Sequence, residues 1–135
     1  MAEQTTQAPP QTATFCWNEL MTRNLPAAKT FYTKLFGWTT EEKSMGKAGL
    51  YTFWKKGNTQ AGGMMQIQGP GTEQVPAHWL AYVAVDSVDA ATKKAQGLGA
   101  KVHVQPTDIP NIGRFSIISD PTGAVLGLFQ AKPAH

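Results

Sequence analysis

Two residues of this 135-residue chain stand out as candidates to move a proton near neutral pH, and each falls where a strand is expected. Glu19 lies inside Phe15-Cys16-Trp17-Asn18-Glu19-Leu20-Met21, an apolar run that reads as a β-strand. A strand alternates faces, so Glu19 shares a face with Phe15, Trp17 and Met21. A carboxylate among such neighbours is costly unless partnered, and burial disfavours its charged form. Those conditions make a glutamate a general acid or base. Its ordinary reading is an edge carboxylate satisfied by a neighbour such as Arg114. His78 opens a second strand, His78 to Val85, directly after Pro76-Ala77. An imidazole there suits acid/base work or metal ligation, and its ordinary role is a strand-end hydrogen bond to backbone. His103 reads as peripheral and His135 is terminal. Glu19 and His78 are the predicted catalytic residues.

The predicted substrate contacts are Trp17, Trp54, Tyr82, Arg114 and Phe129. Tyr82 shares the strand face of His78, four residues on, and its phenol can hydrogen-bond a substrate oxygen. Arg114 follows Gly113 at a strand start. It can grip a carboxylate or phosphate with two parallel hydrogen bonds, or pair with Asp120 or Glu19. Trp17, Trp54, Trp79, Met64, Met65 and Phe129 form an aromatic, polarisable set suited to a hydrophobic ligand, although at least half must be core. Cys16 would need a basic neighbour to act as a nucleophile, and a lone cysteine ordinarily behaves as a small buried hydrophobe.

Composition narrows the classes. Hydrophobic residues are 41% and charged residues 16% of the chain, so the body should fold. The net charge of +3 is mild and the basic residues are scattered, which argues against a nucleic-acid partner. No stretch approaches 18 apolar residues, so no membrane span is expected. Met1 to Thr12 has no apolar core of a secretory signal, and Cys16 is the sole cysteine, so a reducing cytoplasm is the expected setting.

The elements that must position these residues come in two similar sets. Residues 1–12 read as a flexible tail. Asn24 is a predicted N-cap, with Pro26 in the first turn of a helix from Leu25 to Leu35 that Gly37 ends. Strands are predicted at Trp38 to Glu42, Leu50 to Lys55 and Ala61 to Ile67, with Lys43 to Gly49 a loop. The paired glycines 62 and 63 suggest a bulge or a close backbone approach. Residues 68–77 read as a Gly/Pro linker. Beyond it come the His78 strand, a helix from Val88 to Gly97 capped by Asp86 or Ser87, and strands at Lys101 to Val104, Arg114 to Ser119 and Ala124 to Gln130. Pro106 to Gly113 is expected to be a loop, and Asp120-Pro121-Thr122-Gly123 a tight turn. An offset of 62 aligns the halves, Trp17 on Trp79 and Gly37 on Gly99. The expectation is one domain over residues 13–131: module one at 13–67, the linker, and module two at 78–131. The class is α+β, two β-α-β-β-β modules sharing a curved mixed sheet around a pocket.

The run Asn24-Leu25-Pro26-Ala27-Ala28-Lys29-Thr30-Phe31-Tyr32-Thr33-Lys34-Leu35-Phe36-Gly37-Trp38 and the turn Asp120-Pro121-Thr122-Gly123-Ala124 resemble the vicinal oxygen chelate superfamily, the glyoxalase/bleomycin resistance/dioxygenase fold. Cys16-Trp17-Asn18-Glu19-Leu20, Ile109-Pro110 and Gly113-Arg114-Phe115 resemble a glyoxalase-like single-domain subgroup. The resemblance implies a pocket within the sheet and a divalent metal on the first and last strands of each module. The last-strand glutamate it implies is Gly127 here, with Met65 its counterpart by the offset. Neither is a ligand, so the usual metal site is expected to be incomplete. Cys16, Glu19 and His78 are the first-strand donors that leave a divalent metal open; no other cofactor is expected. The resemblance also implies a homodimer. Function is read as binding a small, partly hydrophobic molecule with lyase or isomerase proton transfer. The alternative is a non-catalytic, bleomycin-resistance-like sequestering protein, and a dioxygenase fits less well because only His78 is suitably placed.

Overall fold

A computed structural model of the chain describes residues 11–45 and 49–132. Most of the expected tail, the middle of the predicted 43–49 loop and His135 lie outside the described residues. The elements, in chain order, are β1 (Phe15–Thr22), α1 (Leu25–Phe36), β2 (Thr39–Ser44), β3 (Leu50–Lys56), β4 (Thr59–Gln66), β5 (His78–Ala84), α2 (Val88–Gly97), β6 (Lys101–Ile109), β7 (Gly113–Ser119) and β8 (Val125–Ala131). The class is α+β and the element order is β-α-β-β-β twice.

Local chemistry accounts for the boundaries. The Asn24 side chain accepts from the Ala27 amide at 3.0 Å, with proline in the first turn of α1. Gly37 then takes a left-handed φ of 73° and donates its amide to the Thr33 carbonyl at 2.9 Å. Ser87 rather than Asp86 caps α2, accepting from the Ala90 amide at 3.1 Å. In the turn before β8, the Asp120 carboxylate accepts from the Thr122 hydroxyl at 2.6 Å and from the Thr122 and Ala124 amides at 2.8 and 3.1 Å. Those bonds, the hydroxyl's first, hold its carboxyl below the ordinary range.

The described chain falls into two compact units. One is Asn18–Trp79, and the other is residues 80–132 together with residues 11–17. The first unit has the strand order β2-β3-β4-β1, with β4 and β1 parallel and the other pairs antiparallel. The second has β5-β8-β7-β6, with β5 and β8 parallel. Each packs one sheet face on its helix. In the first, Leu20, Trp54 and Met64 meet Ala28 and Tyr32 of α1. In the second, Val88 of α2 meets Ile118 and Leu128 of the sheet.

Two expectations differ from this fold. Module one is expected to begin at residue 13, yet the backbone of Ala13 and Thr14 finds its partner on β5: the Ala13 amide donates to the Ala84 carbonyl at 2.7 Å, and the Ala84 amide to the Thr14 carbonyl at 2.8 Å. The loop predicted over Pro106 to Gly113 is strand up to Ile109. Proline is tolerated because β6 is an edge strand, and its pairing with β7 shifts register between Val102 and Val104 and again before Thr107.

Candidate functional site

Alternation along the first unit's strands separates two sets of residues. Leu20, Trp54 and Met64 face α1, which puts Glu19, Phe53 and Gly63 on the other face. There Glu19 and Gly63 are cross-strand partners, as are Phe53 and Gly63. Glu19 is 5% exposed, and the Tyr51 hydroxyl donates to its Oε1 at 2.7 Å. The Tyr51 ring lies over Gly63, so closely that a Cβ there would overlap its hydroxyl and ring carbons. Phe53 packs edge-on against Tyr51 at 4.9 Å, with the Lys43 ammonium 5.7 Å from its ring centre. The ordinary reading offers Glu19 a neighbour such as Arg114; the structure gives it the Tyr51 phenol and engages Arg114 with Asp89 and Asp108.

Tyr51 is the residue the sequence reading missed. The signals were present: Leu50 to Lys55 alternates, placing Tyr51 across the strand from Trp54, and the paired glycines mark a close approach. Both glycines carry one. Gly63 lies under Tyr51, and a Cβ at Gly62 would fall 2.8 Å from the Asn18 carbonyl oxygen.

The second unit repeats this layout with different chemistry. Tyr82 on β5 is paired with Gly127 on β8, and its ring covers Gly127 so that a Cβ there would overlap it. Phe115 meets the Tyr82 ring edge-on at 6.5 Å, and Phe129 stands opposite Phe115 across β7 and β8. The register shows that Gly127 corresponds to Gly63, not Met65. Each pairs with a site-facing residue of the module's first strand, and each precedes a helix-facing residue, Leu128 or Met64.

The other predicted residues are placed as follows. His78 is half-buried and its Nδ1 lies 2.8 Å from the Pro76 carbonyl oxygen. A carbonyl only accepts, so Nδ1 carries the hydrogen of this contact. Trp54 is 0% exposed and belongs to the α1-side core, with Tyr32 and Trp38 around it. Trp79 donates its indole N–H to the Tyr32 hydroxyl at 3.1 Å. Trp17 and Cys16 are half-buried on β1, and burial, the larger influence, pushes the Cys16 thiol up, away from the thiolate.

Arg114 is on the α2 face of β7, next to the helix-facing Ser116. It grips Asp89 of α2 through Nε and Nη2, at 2.9 and 3.0 Å, and Asp108 of β6 through Nη1 at 2.9 Å. The Asp89 bond above all raises its already high pKa, and Arg114 holds the Asp89 carboxyl below its ordinary range. The ion pairs expected with Asp120 or Glu19 are replaced by these two. A shallow pocket of about 300 Å³ adjoins the arginine, lined also by Asn111, Gln130 and Lys132.

The residues described do not fit a divalent metal. Among them no three or more His, Cys, Asp or Glu side chains gather where an ion could sit. Gly63 and Gly127 provide no donor, and tyrosine rings occupy the space a side chain there would need.

The profile of the Glyoxalase/Bleomycin resistance protein/Dioxygenase superfamily matches residues 13–128. CFP32 of Mycobacterium tuberculosis, provisionally named a glyoxylase, is 38% identical over 123 residues, covering 91% of this chain. The anthracycline biosynthesis protein DnrV of Streptomyces peucetius is 33% identical over 125 residues, 84% of the chain. The chain spans 46% of the length of each. Among solved structures, methylmalonyl-CoA epimerase of Mycobacterium tuberculosis superposes with a TM-score of 0.64 at 12% identity, covering 95% of both chains. The Mn(II)-bound glyoxalase of Novosphingobium aromaticivorans gives a TM-score of 0.55 at 17% identity, over 92% of this chain and 42% of that one. At such identities these two structures attest the fold.

Proposed function

We propose a function on one established premise: the chain belongs to the Glyoxalase/Bleomycin resistance protein/Dioxygenase superfamily. On that premise we infer that it binds a small, partly hydrophobic molecule and that Glu19 moves a proton on it, in a lyase or isomerase reaction beside a carbonyl group. The buried Glu19 carboxylate, held by the Tyr51 hydroxyl at 2.7 Å, carries the reading. A carboxylate removed from water and kept in one orientation is the equipment of a carbon-acid base. It takes the proton from the carbon next to the carbonyl. The C–H electron pair passes into the carbonyl to give an enolate, and Glu19 returns the proton to that carbon or its neighbour. No oxidant or reductant is consumed. His78, with Nδ1 committed to Pro76, offers Nε2 as a second proton-exchanging atom.

Trp17, Tyr82 and Phe129 are proposed as ligand contacts of the second unit, taken by itself. Trp54, sealed in the core, and Arg114, gripped by two carboxylates, enter it as supports. No helix of the described residues is long and apolar enough to cross a membrane, and the reading places the protein in the cytoplasm as a homodimer. The chain spans about half the length of CFP32 and DnrV, and a second copy would supply a comparable length.

The aromatic face of Tyr82, Phe115 and Phe129 supports a second reading, a protein that sequesters a flat aromatic molecule without chemistry. The kinship with an anthracycline biosynthesis protein is consistent with it. Solvent deuterium exchange separates the two. Small 2-hydroxy ketones and thiol adducts of 2-oxo aldehydes are incubated with protein in heavy water and followed by proton NMR. Exchange by the wild type that Glu19→Gln abolishes supports catalysis. Tight binding of aromatic ligands with no exchange on any compound overturns it in favour of sequestration.

A further inference from the structure

We infer that Tyr51 is the positioning residue of Glu19 and that Gly63 is the residue that admits it; this rests on the reading of Glu19 as the proton-moving group. The geometry is a bridge over a strand. Gly63 sits on β4 between Phe53 of β3 and Glu19 of β1, paired with both. Tyr51, two residues before Phe53, lays its ring across Gly63 and delivers its hydroxyl to Glu19 Oε1 at 2.7 Å. A phenol on β3 reaches a carboxylate on β1 because the residue between them has no side chain. Any Cβ at position 63 would occupy the place of the hydroxyl itself. Gly63 has no left-handed φ to explain its identity, so the clearance under Tyr51 is what calls for glycine there.

The second unit separates positioning from packing. Tracing the register from Gly127 through Ile117 and back two residues gives Phe115 as the counterpart of Tyr51. There Phe115 meets the Tyr82 ring at 6.5 Å and has no hydroxyl to offer the residue in the place of Glu19, while Tyr82 itself covers the glycine. What the Tyr51 hydroxyl adds is a donor aimed at one carboxylate oxygen, which fixes the rotation of the Glu19 head group. A general base held within a few tenths of an ångström of its productive place gains rate without gaining affinity.

The test is Tyr51→Phe, which keeps the ring and removes only the donor. In the exchange assay kcat is expected to fall about 10- to 100-fold with KM within about twofold, as loss of orientation predicts. Gly63→Ala should reproduce that loss by displacing the ring. If Tyr51→Phe keeps the wild-type kcat and lowers only the melting temperature, the positioning role is overturned. A wild type that exchanges nothing defeats the proposed function instead, and the positioning claim is then read without activity. Side-chain three-bond couplings of Glu19, from NMR of labelled protein, should report one rotamer in the wild type and an average of several in Tyr51→Phe. An unchanged Glu19 rotamer in the variant overturns the inference.

Discussion

The two units use one layout for opposite chemistry. In the first, a glycine on the last strand lies under a tyrosine whose hydroxyl reaches a buried glutamate. In the second, the corresponding glycine lies under Tyr82 itself, which stands where Glu19 stands, and Phe115 replaces Tyr51. The first arrangement holds a titratable group, and the second is apolar apart from one phenol. The helix-facing sides carry buried apolar clusters in both units. Repetition has therefore kept the packing face alike and left the other free to diverge, which ties stability to one face and chemistry to the other.

The largest expected effects test that division. Trp54→Ala should cost about 3–5 kcal/mol and Leu128→Ala about 2–5 kcal/mol in urea unfolding, because both empty helix-side cores. A loss below 1 kcal/mol at either would break the comparison. Tyr51→Phe comes next. It strips a hydrogen bond from a buried carboxylate and should cost about 1.5–3 kcal/mol, and Glu19→Leu combined with Tyr51→Phe should cost less than the sum of the two single changes, since the bond they share can be lost only once. Full additivity of the two changes would deny the coupling. Gly127→Ala should cost about 1–3 kcal/mol by forcing the Tyr82 ring aside, and a neutral result would mean that ring is free to move.

The smallest effect concerns acid. The Arg114 hydrogen bonds hold the folded Asp89 pKa below its unfolded value. The stabilisation is thus present above about pH 4, where the unfolded carboxylate is ionised, and is lost as pH falls through the lowered folded value. Urea midpoints at pH 7 and pH 3 should lie closer together in Arg114→Met than in the wild type. An identical pH dependence would show that the exposed pair contributes nothing measurable.

The fold was legible because its signals are local. Asn24, Pro26 and Gly37 bracket α1 by chemistry that acts within a few residues, and Asp120 to Gly123 closes its own turn. Pro106 misled for the same reason, since whether a strand tolerates proline depends on its being an edge. The site was half legible. Alternation around Glu19 showed a carboxylate in apolar company, but its partner is 32 residues away and reaches it across an intervening strand. Arg114 was misplaced on the Glu19 side because the sequence shows a strand start without showing which face the arginine takes. The constant offset of 62 also hid the equivalence of Gly63 and Gly127, since the turns and bulges of the two modules differ in length.

The pairing of Ala13 and Thr14 with Ala84, and of the Thr12 hydroxyl with Asp86 across 74 residues, orders events during synthesis. Among the described residues the first unit is contiguous and has all its strands once Trp79 has been made. The second unit requires residues 11–17, a piece of chain that emerges from the ribosome before Asn18. That leading segment must stay unattached until β5 appears, so a nascent chain arrested near residue 79 should hold a folded unit with a loose front end. Trimming the front of the finished protein would loosen the part translated last.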